Sequence, residues 1–235
     1  MRPAEEIDKR KLLSQGALFS LLSEEDLDSL THFTKHKRIP AREVLFHKSE
    51  PGNQMCLIVK GRVKLSTVSP EGKEMMFGIL EDGDFFGEMS LLDGNERSAT
   101  ATAVTPTELL TIERRDFVPF LERHPRVAIK LLATLAARLR RTDETFEDTF
   151  FLNLPARLAK KFLALAEDYG ELAGGGIRIG LALSQSEIGN LVCTSRESVN
   201  KQMRAWQEEG LIRCEGRHVT LLEPDRLEDL AETPW

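Results

Sequence analysis

Cysteine is scarce in this chain: three residues in 235, at Cys56, Cys193 and Cys214. They are odd in number, far apart and free of any C-x-x-C pair, which excludes a disulfide framework and argues against structural zinc. Histidine is equally uninformative as a ligand source. Among His32, His36, His47, His124 and His218 there is no H-x-H or H-E-x-x-H spacing; only His32 and His36 stand four apart, in a polar surface stretch. No functional metal is expected. The sequence also lacks any apolar run near the ~18–20 residues that a membrane span needs. Residues 1–14 are rich in charge and carry no apolar stretch of the secretory kind. A cytoplasmic location without a membrane partner is the expectation.

What is present suits a soluble chain of two ordinary domains, with 41% hydrophobic and 30% charged residues. The balance of 32 basic and 38 acidic side chains, net −6, speaks at first against nucleic acid. Global charge is a weak guide when one small surface does the binding. Between Ser195 and Trp206 three cations (Arg196, Lys201, Arg204) face a single anion (Glu197). The acidic total leaves the question open.

Along the chain the texture changes twice. Ser23 reads as an N-cap with Asp26 three positions on and with Leu27, Leu30 and Phe33 at helical spacing. From about 38 to 112 short β-rich runs (Met55–Val59, Arg62–Val68, Glu74–Ile79, Glu108–Ile112) alternate with turns at Pro51-Gly52, Pro70-Glu71-Gly72 and Glu81-Asp82-Gly83-Asp84. That punctuation predicts a compact β-roll or barrel. Then Ala128, Leu132, Leu135, Leu139, Thr142, Phe146 and Thr149 recur at intervals of four and three, an a/d seam for a second copy of the chain. Ile129, Leu131 and Ala136 offer another face for packing within the chain. Pro155 ends or kinks this helix near Asn153-Leu154, a natural hinge.

Beyond the hinge, residues 157–168 read as a helix with Leu158, Phe162, Leu163 and Leu165 inward. Gly174-Gly175-Gly176 breaks it, and Ile177–Leu183 alternates like a strand. Ser184 with Glu187 forms a capping box opening a helix over 185–192, and Thr194 with Glu197 forms a second one opening a helix to about Glu209. Two helices across so tight a turn make a helix-turn-helix. Leu211–Cys214 and His218–Leu222, joined at Glu215-Gly216, make a hairpin wing. The expected domains are residues 1–123, a long helix over 124–152, and 153–235. The acidic stretch 223–235 is left unassigned.

Two places carry chemistry. Gly83-Asp84-Phe85-Phe86 leads into Gly87-Glu88-Met89-Ser90, and Arg97-Ser98-Ala99 follows after a loop. A phosphodiester needs a cation with two donors at fixed geometry, which an arginine fork supplies. Ser98 can add a hydroxyl and an N–H, and Gly87 permits close backbone approach. Glu88 would repel a phosphate but suits a sugar hydroxyl. An exposed Arg97 beside a structural glycine turn is the plainer alternative. In the second place, Arg196 can pair with guanine O6 and N7, Glu197 can accept from cytosine N4, and Lys201 can reach a guanine or a phosphate. Asn200 lies on the same helix. Ser186, Thr194 and Ser195 are candidate phosphate contacts that position without specifying.

Phe86-Gly87-Glu88-Met89 with Glu96-Arg97-Ser98-Ala99, and Ser195-Arg196-Glu197-Ser198-Val199-Asn200-Lys201, occur in the order found in one family. From about Ala17 to Leu222 the chain resembles the CRP/FNR family of bacterial transcription regulators. The resemblance implies an α+β chain: a cyclic-nucleotide-binding β-roll, a long dimerisation helix and a C-terminal winged helix-turn-helix. It implies cyclic AMP, or else cyclic GMP, as allosteric effector, and a homodimer acting on double-stranded DNA and RNA polymerase. Glu88 would then hold the ribose 2′-hydroxyl, Arg97 and Ser98 the cyclic phosphate, and Leu65 and Phe77 would line an apolar wall. Thr142 and Asp143 stand where members that sense cyclic AMP place two polar residues against the adenine amino group. Asp143 departs from the Ser or Asn expected there. The half-site implied is TGTGA in an inverted repeat, with Lys201 where arginine is usual. With no cysteine before Cys56, the iron–sulfur mode of the family's oxygen sensors does not apply.

Three rivals remain at this point. A member of the same family could act without an effector, a cupin-like metalloenzyme could use the β-roll, and a nucleotide-binding subunit could regulate an enzyme. The last two find no histidine ligands and no use for a helix-turn-helix, respectively.

Overall fold

The computed structural model describes residues 9–16, 18–20 and 22–232. Ala17, where the family resemblance begins, and residues 233–235 of the acidic tail lie outside them. The chain divides into two compact units, residues up to 72 with 77–138, and 73–76 with 139 onward. The boundary falls inside one long helix.

The first unit opens with helices α1 (Lys9–Gln15) and α2 (Glu24–Phe33). As the sequence indicated, Ser23 caps α2 by accepting from the Asp26 N–H. Eight strands follow: β1 (Thr34–Ile39), β2 (Val44–Phe46), β3 (Gln54–Lys60), β4 (Val63–Val68), β5 (Glu74–Leu80), β6 (Phe85–Phe86), β7 (Thr100–Ala103) and β8 (Thr107–Glu113). The short helix α3 (Glu88–Asp93) interrupts them, and α4 (Arg114–Arg123) closes the unit before α5 (Pro125–Phe151). One sheet runs β1-β8-β3-β6 and the other β2-β7-β4-β5.

Strand periodicity explains how two cores coexist. Successive residues of β3 point to opposite faces. Cys56 and Ile58 meet Phe86, Leu109, Val63 and Ala101 between the sheets. Met55 and Leu57 pack on the other side with Leu110, Ile112, Phe117, Phe120, Leu27 and Leu30, against the helices. A strand buried on both faces reads as a continuous apolar run, which is why Met55–Val59 was legible in the sequence. Cys56 sits in this interior, where burial pushes its thiol up to about 11. It stays protonated and inert.

The long helix departs from the expected seam. Val127 and Leu131 are buried and Leu135 packs against the helix-side core. Ile129, expected to face its own domain, instead points outward. With Leu132, Leu139, Phe146 and Phe150 it forms an apolar stripe in which each residue is 62–66% exposed. The stripe therefore runs through 129, 132, 136, 139, 143, 146 and 150, keeping Leu132, Leu139 and Phe146 of the expected set. Ala136 and Asp143 take the places given to Leu135 and Thr142, and Ala128 and Thr149 fall beside it. Several residues were available at heptad spacing, so only packing on the β-roll could decide which row stays free.

In the second unit Asn153 accepts from the Ala156 N–H at 3.0 Å and caps α6 (Leu154–Tyr169), with Pro155 in its first turn. Proline is tolerated there because that N–H has no helical partner. The Lys160–Asp148 ion pair, 2.8 Å, spans the break between α5 and α6. The triple glycine turns β9 (Gly170–Ala173) into β10 (Gly176–Ile179), so the predicted strand over 177–183 is shorter and belongs to a hairpin. Helices α7 (Gln185–Leu191) and α8 (Arg196–Glu208) follow, then β11 (Ile212–Glu215), β12 (His218–Leu221) and α9 (Pro224–Ala231). The sheet order is β11-β12-β10-β9. Leu158, Phe162, Val199, Met203, Trp206, Leu221 and Leu227 are buried, with the Phe162 and Trp206 rings 6.2 Å apart. Leu163 is only partly buried. Helix α9 occupies much of the stretch left unassigned.

Among the described residues no helix is long and apolar enough to cross a membrane, and no three His, Cys, Asp or Glu side chains gather as a metal site.

Candidate functional site

Arg97 is not the exposed residue of the plainer alternative. It lies on the loop before β7, is 8% exposed, and its guanidinium stacks 4.1 Å from the centre of the Phe46 ring. Its Nη1 donates to the Gly87 carbonyl and to Ser90 Oγ, each at 2.8 Å. Its Nε is buried without a partner. Burial draws the Arg97 pKa down, and the Cys56, Glu88 and Glu50 positions oppose that effect. Since a guanidinium is protonated far above neutral pH, the group remains a cation. A buried cation with an unsatisfied donor is costly unless a ligand completes it.

Two glycines form the cradle around this fork. Gly87 adopts φ 77°, in the left-handed region, and a Cβ there would stand 2.6 Å from Arg97 Nη1. A Cβ on Gly52 would stand 2.6 Å from Arg97 Nε. Neither position can carry a side chain without displacing the arginine. Gly52 and Phe46 belong to the site; the sequence marked Gly52 only as a turn residue and gave no signal for Phe46.

Glu88 is 4% exposed and its carboxylate is neutralised within the same unit. Arg138 Nη1 donates to Glu88 Oε1 at 3.1 Å, Arg138 Nη2 donates to the Phe85 carbonyl at 2.6 Å, and the guanidinium lies 4.7 Å from the centre of the Phe85 ring. That pairing answers the objection to a carboxylate beside an anion-binding arginine. Nothing in the sequence spacing pairs Arg138 with Glu88.

The remaining predicted residues are distributed less tightly. Ser90 and Ala99 are buried, and Ser98 is exposed with its hydroxyl 3.4 Å from Met89 Sδ. Leu65 packs against the inter-sheet core. Phe77 and Met89 are each 50% exposed, so Phe77 is no closed apolar wall within this unit. Thr142 and Asp143 fall in the other compact unit, both exposed, on α5 a turn beyond Arg138.

The second candidate surface is built by α7 and α8. The predicted capping box of Ser184 and Glu187 is present in both directions. The second cap is shifted by one residue: Ser195, not Thr194, accepts from the Ser198 N–H, at 3.2 Å. Thr194 instead gives its N–H to the Gly189 carbonyl in the turn. Both residues carry the same chemistry, so spacing alone could not separate them. Cys193 turns the chain with φ 55°, and Arg196, Glu197 and Lys201 are exposed on the start of α8. The Glu197 carboxyl is held below the usual range by its own backbone N–H first and then by the Ser195 hydroxyl, so it is ionised. Ser186 is exposed at the start of α7, and Asn200 Oδ1 accepts from Gln185 Nε2 at 3.1 Å. The Gln185–Asn200 bond joins the two helices and gave no signal in the sequence.

Residues 36–124 match the model of the cyclic nucleotide-binding domain, and residues 156–230 match the Crp-like helix-turn-helix domain. The chain belongs to the CRP family. It is 33% identical over 217 residues to a CRP-like cAMP-activated global transcriptional regulator of Mycobacterium tuberculosis, covering 92% of this chain and 97% of that one. It is 34% identical over 214 residues to a cyclic AMP receptor protein of Thermus thermophilus, covering 91% and 96%. Its fold is similar to that of a CooA mutant from Carboxydothermus hydrogenoformans, with a TM-score of 0.79 at 23% identity over 95% of this chain and 99% of that one. This CRP-family protein is a transcription regulator, not an enzyme. It carries a cyclic nucleotide-binding domain and a DNA-binding helix-turn-helix, in the α+β architecture that the sequence indicated.

Proposed function

We propose that this CRP-family regulator is a cytoplasmic homodimer that recognises a TGTGA-like inverted repeat when cyclic AMP is bound, and that it acts with RNA polymerase. The observation that carries the effector reading is the buried Arg97 fork, with its unpartnered Nε between Gly52 and Gly87 and the neutralised Glu88 on the same short helix as Ser90. Arg97 and Ser98 would hold the cyclic phosphate, and Glu88 would accept from the ribose 2′-hydroxyl. Base recognition falls to Thr142 and Asp143. An ionised carboxylate only accepts, which suits the adenine amino group and opposes guanine O6.

On this reading α5 dimerises through Ile129, Leu132, Leu139, Phe146 and Phe150, an apolar row at heptad spacing left exposed among the described residues. Dimerisation sets two recognition helices about one DNA turn, ~34 Å, apart. The nucleotide shifts the population toward that spacing by its differential affinity for the two states. The hinge around Asn153-Leu154 absorbs the rotation. Arg196, Glu197 and Lys201 read base edges, Asn200 lies alongside them, and Ser186, Thr194 and Ser195 contact phosphates. Lys201 lacks the arginine fork, so readout at its base is relaxed.

Calorimetric titration tests the effector. Cyclic AMP is expected to bind at least about tenfold tighter than cyclic GMP, the order expected when an acceptor meets a donor rather than another acceptor. Asp143→Asn should narrow the gap, because a carboxamide can also donate. Equal or reversed affinities in the wild type would refute the preference. A second reading, regulation without a nucleotide, is favoured by the two bonds that Arg97 already makes to Gly87 and Ser90. Absence of heat with either nucleotide would establish it.

A further inference from the structure

The wing of the helix-turn-helix is tied to the start of α7 through a single carboxylate oxygen. Glu187 Oε2 accepts from the Ser184 N–H at 2.8 Å, from Ser184 Oγ at 2.6 Å and from Arg217 Nη2 at 2.5 Å. Arg217 lies between β11 and β12, at the turn of the wing. Its carbonyl also accepts from the Leu183 N–H at 2.9 Å, so side chain and backbone of the same residue grip the segment that opens α7. Burial would raise the Glu187 carboxyl, but the Ser184 hydroxyl and N–H, joined by Arg217, bring it below its usual range. Glu187 is 22% exposed at its side chain. From α7 the chain of contacts continues to α8 through Gln185 and Asn200, and from β11 through the Cys214 N–H, which donates to Gln207 Oε1 of α8 at 3.2 Å.

We infer that Arg217 is a positioning residue for DNA recognition, acting through Glu187 rather than by touching DNA. The inference rests on DNA reading by α8. A capping box needs only the Ser184–Glu187 exchange. The third donor, from a different element, makes the cap a joint between wing and reading helix. A basic residue at a wing turn would otherwise be read as a phosphate contact, and the two roles separate cleanly. A phosphate contact weakens binding to all sequences alike and contributes about one unit of salt slope. A positioning residue spares non-specific binding and the slope, and loses discrimination.

Three substitutions divide the joint. Arg217→Ala removes the wing's donor and leaves the cap. Glu187→Gln keeps a cap-competent side chain but removes the charge that Arg217 requires. Arg217→Lys keeps a charged donor. Affinity for an operator preferred by the wild type, and for random duplex, should be measured across salt concentrations for the full-length dimer. Arg217→Ala and Glu187→Gln should each lose about fivefold for the operator and none for random duplex, the order of one half-exposed charge-assisted bond. The double variant should be no worse than either single one, and Arg217→Lys should recover most of the loss. A parallel readout needs no operator: hydrogen exchange at the Leu183 amide of the free protein should quicken in both single variants. Two results would overturn the inference. One is a salt slope flattened by about one unit in Arg217→Ala with equal losses on both duplexes. The other is Glu187→Gln matching the wild type in discrimination and in exchange.

Discussion

Arg97→Leu is expected to abolish the response of DNA binding to nucleotide while leaving a folded dimer. The fork already satisfies Gly87 and Ser90 from a position 8% exposed, and it offers an unpartnered Nε to whatever anion enters. Removing it deletes the cation and the fixed donors together. Charge-assisted hydrogen bonds of this kind contribute roughly 1.5–3 kcal/mol each, so two of them amount to at least about a hundredfold in nucleotide affinity. Leucine keeps much of the contact with Phe46, and circular dichroism should show the native helix content. Arg97→Lys should restore little, because a point charge cannot reproduce the fork. Nucleotide titrations followed by DNA-binding anisotropy would read the loss. An Arg97→Leu protein that still answered cyclic AMP at wild-type concentrations would remove the basis of the site.

Leu139→Glu should separate the two chains. Leu139 is the middle of the exposed apolar row on α5, three residues from Ala136 and four from Asp143. In a two-fold seam each substitution occurs twice and meets its own copy or a near neighbour. Losing two buried leucines, at about 1.5–3 kcal/mol each, weakens association by at least about a hundredfold before the charges repel. Sedimentation velocity should show monomer at concentrations where the wild type is dimeric, and operator binding should fall with it. Glutamate at Arg140, exposed off the row, should leave the dimer intact. A Leu139→Glu chain that sediments as the wild type would place the interface elsewhere.

Much of this fold is legible in the sequence alone. The apolar run of β3, the capping boxes and the turn glycines are local signals, and local signals survive in sequence. What stayed hidden depends on elements brought together from afar. Strands β1, β2 and β7 are short or polar and gain their place only by pairing, β1 with β8, β7 with β4 and β2 with β7. The free row of α5 was misplaced because Leu135 and Ile129 are both apolar, and the β-roll alone chooses which is covered. Arg138 reaches Glu88 across fifty residues, and Arg217 reaches Glu187 across thirty. No spacing rule announces such pairs. The shift of the second cap from Thr194 to Ser195 is of another kind, since two adjacent hydroxyls compete and backbone geometry selects one.

On the proposed function, a nucleotide held by the Arg97 fork controls how this chain reads DNA. A mobility shift on a TGTGA inverted repeat, titrated with cyclic AMP and separately with cyclic GMP, tests it most directly. Cyclic AMP should raise affinity for the palindrome and not for a scrambled duplex, with cyclic GMP far less effective. Equal retardation of the palindrome with and without either nucleotide would contradict it.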